Sequence, residues 1–193
     1  MTKRPMIANF PRLHDAIAQT VVELRSGEKK PDRARKAELR IVADLETEIS
    51  TDQFSFRADA AVDAGGGARH PRPMDYVVGG LLSCQEMWCL RWAALRKISI
   101  EGLRISAVAR FTWRGEYLDE VDAGLTQIET QYHVTDPHLD GDSLLDMADT
   151  VARRCPVFAT LRKATVIEEQ LILNGERTAT RRWVPGQFAA VAL

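Results

Sequence analysis

Hydrophobic positions change their period along the chain, and each period predicts an element. Leu13, Ile17, Val21 and Leu24 recur at intervals of three and four, which predicts an amphipathic helix over residues 12–25. The following run, SGEKKPDRARK, breaks that pattern with glycine, proline and basic residues. Acidic residues are interleaved and no aromatic accompanies it, so it reads as a solvated linker rather than an anion or nucleic-acid patch. Residues 40–49 and 54–61 read as two strands joined by a turn at 50–52. AGGGARHPRP is a loop.

The stretch PRPMDYVVGGLLSCQEMWCLRWAALRK, residues 71–97, predicts the helix around which the chain is organised. Pro73 suits a first helical position. Leu81, Leu82, Met87, Trp88, Leu90, Trp92 and Leu95 point nearly all round the axis, the pattern of a buried helix. Glu86 and Arg91 interrupt the apolar run too early for a bilayer span, which needs about 20 residues. Gly79 and Gly80 each cost roughly 1 kcal/mol in a helix interior, so the pair predicts close packing of another backbone.

Beyond it, Leu103, Ile105, Ala107, Ala109, Phe111 and Trp113 alternate with polar neighbours, the period of a half-buried strand. RGEYLDEVDAG reads as its turn, and Ile128, Thr130, Tyr132 and Val134 mark the antiparallel return. Asp142 or Ser143 can cap a helix that turns Leu144, Leu145, Ala148, Val151 and Ala152 inward. It runs into Arg153–Arg154–Cys155–Pro156. A short helix over 156–163 and an alternating strand over 165–173 follow. The tail carries Trp183, Val184 and Phe188, apolar enough to dock on a neighbour. Residues 1–35 form an N-terminal helical arm with its basic linker, and residues 36–193 the main domain.

Composition narrows the classes. A formal net charge of −1 gives no electrostatic reason to expect nucleic acid or an anionic membrane. The N-terminus lacks the continuous apolar core of a secretory signal, so a cytoplasmic protein is the expectation. Three cysteines are too few and too odd for a disulfide scaffold. The four histidines are scattered and form no recognisable ligand set with the cysteines, so a zinc site is not expected. Chemistry therefore rests on thiols. Cys155 stands at the junction of two helices, where the N-terminus of the second and the adjacent arginines favour a thiolate. Cys84 and Cys155 also read as small buried hydrophobes. Cys89 lies about 140° around the helix from Cys84, mis-aimed for a disulfide with it, and reads as packing.

The run PMDYVVGGLLSC, preceded by GGGARHPRP and followed some seventy residues later by ARRCPV ahead of a strand, resembles the OsmC/Ohr family of osmotically inducible and organic hydroperoxide resistance proteins. The likeness covers roughly residues 39–173. It implies an α+β fold of antiparallel sheets around central buried helices, completed in a homodimer with each site at the subunit interface. It further implies a thiol-dependent peroxidase without metal or cofactor. In that family's terms Cys84 is the peroxidatic and Cys155 the resolving cysteine, and Asp75 is the acid that steadies an arginine beside the thiolate. Arg69 is the favoured arginine, with Arg57 and Arg72 the other candidates. An organic hydroperoxide would be the substrate and a dithiol the reductant, with Trp88 and Trp92 as an apolar wall. The same fold also admits a non-catalytic protein binding an apolar small molecule beside Cys84, or an interaction protein using the N-terminal arm.

Overall fold

The computed structural model describes residues 7–136 and 138–163 with their side chains, and the backbone of the strands within 167–173, 176–183 and 191–192. Helix α1 (Phe10–Ser26) is capped by Asn9, whose side chain accepts from the Arg12 N–H at 3.1 Å. It packs on the central helix and buries Phe10 in the core. Strands β1 (Ala37–Ala43), β2 (Glu46–Thr51) and β3 (Ser55–Ala58) form an antiparallel sheet. The single strand expected over 40–49 is thus two. The turn between them places Asp44 at φ 50°, a left-handed conformation that a short polar side chain tolerates. No glycine or proline marks it, and the apolar Leu45 disguises it.

The glycine loop that leads to α2 (Pro73–Leu95) is tied to the segment that follows β3. The backbone N–H groups of Gly66 and Ala68 donate to the Ala61 and Ala60 carbonyls at 2.9 and 3.0 Å. A Cβ at Gly66 would stand 2.2 Å from the Ala60 carbonyl oxygen, a clash with backbone that no side-chain adjustment relieves. Gly66→Ala is therefore expected to destabilise the chain by roughly 1–3 kcal/mol, read as a lower urea midpoint. An unchanged midpoint would mean the loop is free to move.

Helix α2 packs against α1, α4 (Gly141–Arg154), α5 (Pro156–Lys163) and β4 (Gly102–Arg110), with α3 (Trp113–Leu118) preceding β5 (Gln127–Thr135). Pro73 opens α2 at the position the sequence predicts. The side of α2 carrying Leu81, Gln85, Cys89 and Trp92 is buried. The expectation of burial all round is corrected: Val77, Met87 and Leu95 are exposed. A Cβ on Gly79 or Gly80 would meet nothing within 4 Å, so among the described residues no backbone approaches the glycine pair.

β4 and β5 pair antiparallel as expected, with Leu103 opposite Val134 and Ile105 opposite Tyr132 on the face toward the core, but β4 ends at Arg110, short of the expected Phe111 and Trp113, and Trp113 opens α3 instead. The segment read as a plain turn contains α3. Thr112 caps it by accepting from the Arg114 N–H at 3.2 Å, and Asp119 ends it in a left-handed conformation. Gly115 hides this helix from propensity, yet it is needed there, because a Cβ would lie 2.6 Å from the Val121 carbonyl oxygen. The N-cap of α4 is Asp140 rather than Asp142 or Ser143, accepting from the Ser143 N–H at 2.8 Å. The last expected strand is β6 (Ile167–Leu173), paired antiparallel with β7 (Glu176–Trp183), which pairs with β8 (Val191–Ala192). The segment read as a docking tail therefore contains two strands; Val184 and Phe188 lie outside the described residues.

Candidate functional site

The site is assembled by two junctions on α2. Asp75 fixes its start: the carboxylate accepts from the Arg72 backbone N–H at 2.9 Å, while the Asp75 N–H donates to the Arg72 carbonyl at 2.9 Å. An acidic group here also opposes the positive end of the helix dipole. Nine residues on, about 13 Å along the axis, comes Cys84. Against it lies Cys155, at the break where α4 ends and α5 begins. Pro156 enforces that break by denying a helical conformation to the residue before it, and Cys155 has φ −77° and ψ 112°.

Cys84, Cys89 and Cys155 are all free and belong to one buried cluster with Trp92, Met147 and Val151. Their exposure separates them. Cys84 keeps 7 % of its surface, whereas Cys89 and Cys155 keep none. A solute arriving from water therefore meets Cys84 first. Burial pushes the Cys89 thiol up to about 12, with Glu86 as the next cause. Cys155 is pushed up to about 11, first by burial and next by the Cys84 thiol beside it; the Phe158 N–H, 3.4 Å from its sulfur, pulls the other way. The expectation that a helix start and neighbouring arginines make Cys155 a thiolate is corrected. Desolvation outweighs two backbone amides, and Arg154 spends its guanidinium 5.7 Å from the Trp88 ring centroid.

Trp88 is stacked from a second side by Arg91, at 5.0 Å, a turn further along the same face of α2 as Cys84. Trp92 belongs to the core: its indole N–H donates to Asp146 at 2.8 Å and Arg96 covers its ring at 4.8 Å. A cavity of about 310 Å³ is lined by Leu81, one turn before Cys84, Ile128 and Thr130 of β5, and Phe158 and Leu161 of α5, with Arg162 at its edge; none of the cysteines lines it.

The arginine candidates lie in a separate charged cluster. Arg69 reaches Glu46 at 2.8 Å and Asp59 at 3.9 Å, and Arg57 reaches Glu46 at 2.9 Å and Glu48 at 3.3 Å. Glu46 is buried and also meets His70 at 3.4 Å. The structure thus brings Cys84 and Cys155 together. Within one chain it engages Asp75 in a helix cap and Arg69 with Glu46, and Arg72 is exposed at that cap. Glu46 and Asp59 were not legible as partners, since nothing local distinguishes them from surface carboxylates.

Asp59 accepts from the backbone N–H groups of Ala60, Gly67 and Arg69 at 2.8, 3.2 and 3.0 Å, which together hold the glycine loop. These amides, that of Arg69 foremost, lower its pKa. A depressed carboxylate gives stability that is complete above its unfolded value of about 3.9 and is lost as pH falls through the folded value. Asp59→Asn should accordingly melt well below wild type at pH 7 and approach it below about pH 4. A gap that stays constant from pH 7 to 3 would assign the loss to packing alone.

Gln85 was also missed. It sits at the centre of the buried face of α2, and among the described residues neither amide atom has a protein hydrogen-bond partner. An unpaired buried amide costs about 1–3 kcal/mol. The signal available in the sequence was a lone amide placed between Leu81 and Trp92 on an otherwise apolar face.

The sequence profile described as OsmC-like protein matches residues 65–170. No curated protein matches the chain. Among solved structures, an OsmC-like protein from Mycoplasma pneumoniae is similar, at 21 % identity over 69 % of this chain and 90 % of that one, with a TM-score of 0.59. An organic hydroperoxide resistance protein OsmC from Legionella pneumophila is 15 % identical over 69 % of this chain and 93 % of that one, with a TM-score of 0.53. An organic hydroperoxide resistance protein from Elizabethkingia anophelis is 14 % identical over 70 % and 93 %, also with a TM-score of 0.53. These likenesses agree with the architecture of antiparallel sheets about a central helix. No helix among the described residues is long and apolar enough to cross a membrane.

Proposed function

The chain belongs to the OsmC/Ohr family of OsmC-like proteins, and from that membership we propose that it is a thiol-dependent reductase of organic hydroperoxides. Two of the similar structures are called organic hydroperoxide resistance proteins. The observation that carries the reading is the pairing of Cys84, the cysteine with residual exposure, with the sequestered Cys155.

The Cys84 thiolate attacks the O–O bond, forming a sulfenic acid and releasing the alcohol. The Cys155 sulfur then attacks the Cys84 sulfur; the S–S bond forms, the S–O bond breaks, and the Cys155 proton leaves with the hydroxide as water. An external dithiol reduces the disulfide by exchange and is itself oxidised. Arg91 and Arg154, stacked on Trp88, are the cations on the Cys84 side of α2 and next to Cys155. Arg69 and Asp75 serve the thiolate in this proposal through a second copy of the chain, since Asp75 stands too far along its own helix. A homodimer is supported by the open side of α2, where Gly79, Gly80 and Met87 are exposed, and by β1, where Leu39 and Ile41 are 61 % and 71 % exposed.

The cavity that Leu81, one turn before Cys84, and Phe158, whose N–H lies 3.4 Å from the Cys155 sulfur, line together with Ile128 and Leu161 supports a preference for bulky apolar hydroperoxides. With a dithiol reductant, kcat/KM for cumene hydroperoxide should exceed that for hydrogen peroxide by about tenfold or more, as expected from burying several apolar carbons. Equal values would remove the cavity from the mechanism. Absence of turnover with both peroxides, thiols being reduced, would overturn the peroxidase. The same cavity would then favour the second reading, a binding protein for an apolar small molecule.

A further inference from the structure

A second cavity, of about 320 Å³, lies at the start of α2, roughly 16 Å along the helix axis from Cys84. Three places in the chain form it. Asp63 stands in the short helical turn Val62–Ala64 that follows β3, Arg72 at the N-cap of α2, and Phe111, Trp113, Glu116 and Tyr117 just past β4 and in α3. The backbone between Phe111 and Trp113 is extended, with Thr112 at φ −128° and ψ 135°, which sets both rings on one side of the chain. Tyr117 follows Trp113 by one helical turn. Their two rings stand 6.1 Å apart at 75° to each other, the walls of a corner.

Trp113 and Tyr117 are each 59 % exposed and Phe111 is 41 % exposed. A surface turn has no need of three aromatic rings, and an exposed apolar patch rimmed by polar groups marks a place of contact. The walls are also fixed in advance. Gly115 packs against the Val121 carbonyl, and Arg114 donates to Glu120 at 2.9 Å. The Gly65 and Gly66 N–H groups donate to the Val62 and Ala61 carbonyls at 3.1 and 2.9 Å, which holds the turn that carries Asp63. Charge then selects the ligand. Arg57 and Arg69 are held by Glu46, Glu48 and Asp59, and Arg114 by Glu120, whereas among the described residues Asp63, Glu116 and Arg72 form no ion pair. Two carboxylates against one guanidinium leave the cavity negative, and the aromatic faces add to that sign.

We propose that this cavity binds a small organic cation of the alkylammonium or trimethylammonium class, seated in the corner of Trp113 and Tyr117 with Glu116 and Asp63 balancing its charge. A cation within about 6 Å of a ring centroid is drawn to the π face, and its methyl groups bury apolar surface against the same rings. An anion meets two carboxylates and three ring faces. A neutral apolar ligand strips water from the carboxylates and gives nothing back. Arg72 opposes the cation from the α2 side, so the ligand sits toward α3, where the rings and Glu116 are. Ligand pockets run from about 300 to 1,000 Å³, which places this one among those for small molecules. The site shares no residue with the thiol pair and does not rest on the peroxidase reading.

The test titrates the nitrogen-15-labelled full chain with choline at low salt and follows the Trp113 indole N–H by NMR, assigned by its loss in Trp113→Leu. The indole signal should shift and saturate with a Kd on the order of 0.1–1 mM, the range open to a ligand of so few heavy atoms. Dimethylbutanol, the neutral isostere in which carbon replaces the charged nitrogen, should bind at least about tenfold more weakly. Tyr117→Leu and Glu116→Gln should each weaken choline about three- to tenfold, and Arg72→Gln, which removes the opposing charge, should tighten it. All three side chains are exposed, and unchanged melting temperatures separate a loss of binding from a loss of fold. Equal affinity for the isostere would overturn the proposal, as would an indole unmoved by choline or affinities unchanged in both Tyr117→Leu and Glu116→Gln. Should Trp113→Glu turn a dimeric chain monomeric while choline leaves the wild-type indole unmoved, a second copy of the chain fills the cavity and the proposal falls. Cys84→Ser should bind choline as wild type does, so this site and the peroxidase stand or fall separately.

Discussion

Cys84→Ser abolishes turnover of cumene hydroperoxide, with an expected loss on the order of 10³-fold or more in kcat/KM. The reacting species in a thiol peroxidase is the thiolate, and a serine hydroxyl is neither ionised near neutral pH nor a comparable nucleophile toward oxygen. Among the three cysteines only Cys84 retains exposure, so neither Cys89 nor Cys155 can replace it without opening the core. Cys155→Ser separates the two thiols. It should still consume one equivalent of peroxide and then stop at a sulfenic acid on Cys84. The pair of variants is read by peroxide consumption and mass of the intact chain. Residual turnover in Cys84→Ser above about a tenth of wild type would place the chemistry elsewhere.

The second large effect is on stability. Trp92 fills the contact between α2 and α4, buried on all sides, with its N–H on Asp146 and Arg96 over its ring. Trp92→Ala removes a large apolar volume from a close-packed core and should cost about 3–5 kcal/mol. Against a typical domain stability of about 5–15 kcal/mol, that leaves a chain partly unfolded at 37 °C. Trp92→Phe keeps most of the volume and loses the bond to a half-exposed carboxylate, for about 1–2 kcal/mol. Urea midpoints with unchanged slopes check both. A cost below about 1 kcal/mol for the alanine variant would show that the α2–α4 contact does not hold the core. Because Trp92 lies two turns beyond Cys84 on the buried side, the same variant tests whether the thiol pair depends on that packing.

Much of the site was legible because its signals are local. Proline at the start of α2, proline after Cys155, and the glycine loop each act on the backbone within one or two residues, so a linear pattern reports them. The β4–β5 hairpin was legible for a similar reason: a half-buried strand must alternate. What was missed had no local mark. The turn at Asp44–Leu45 contains neither glycine nor proline, and α3 contains a glycine that tertiary contact with Val121 requires. The thiolate expected at Cys155 failed because the two amides that favour it are local, whereas the desolvation that defeats it comes from α2 and β5.

By itself the sequence determined the central helix with its proline start, the hairpin, the helix break at Cys155, and the family to which the chain belongs. These follow from residue-to-residue rules of backbone sterics and periodic burial. Only the tertiary structure decided which cysteine meets solvent, which carboxylates hold Arg57 and Arg69, and that Gln85 is buried without a hydrogen-bond partner among the described residues. Those facts depend on distances between residues tens of positions apart, and on the removal of water when their helices and strands close on one another. Burial, charge pairing and thiol ionisation are properties of that shared space.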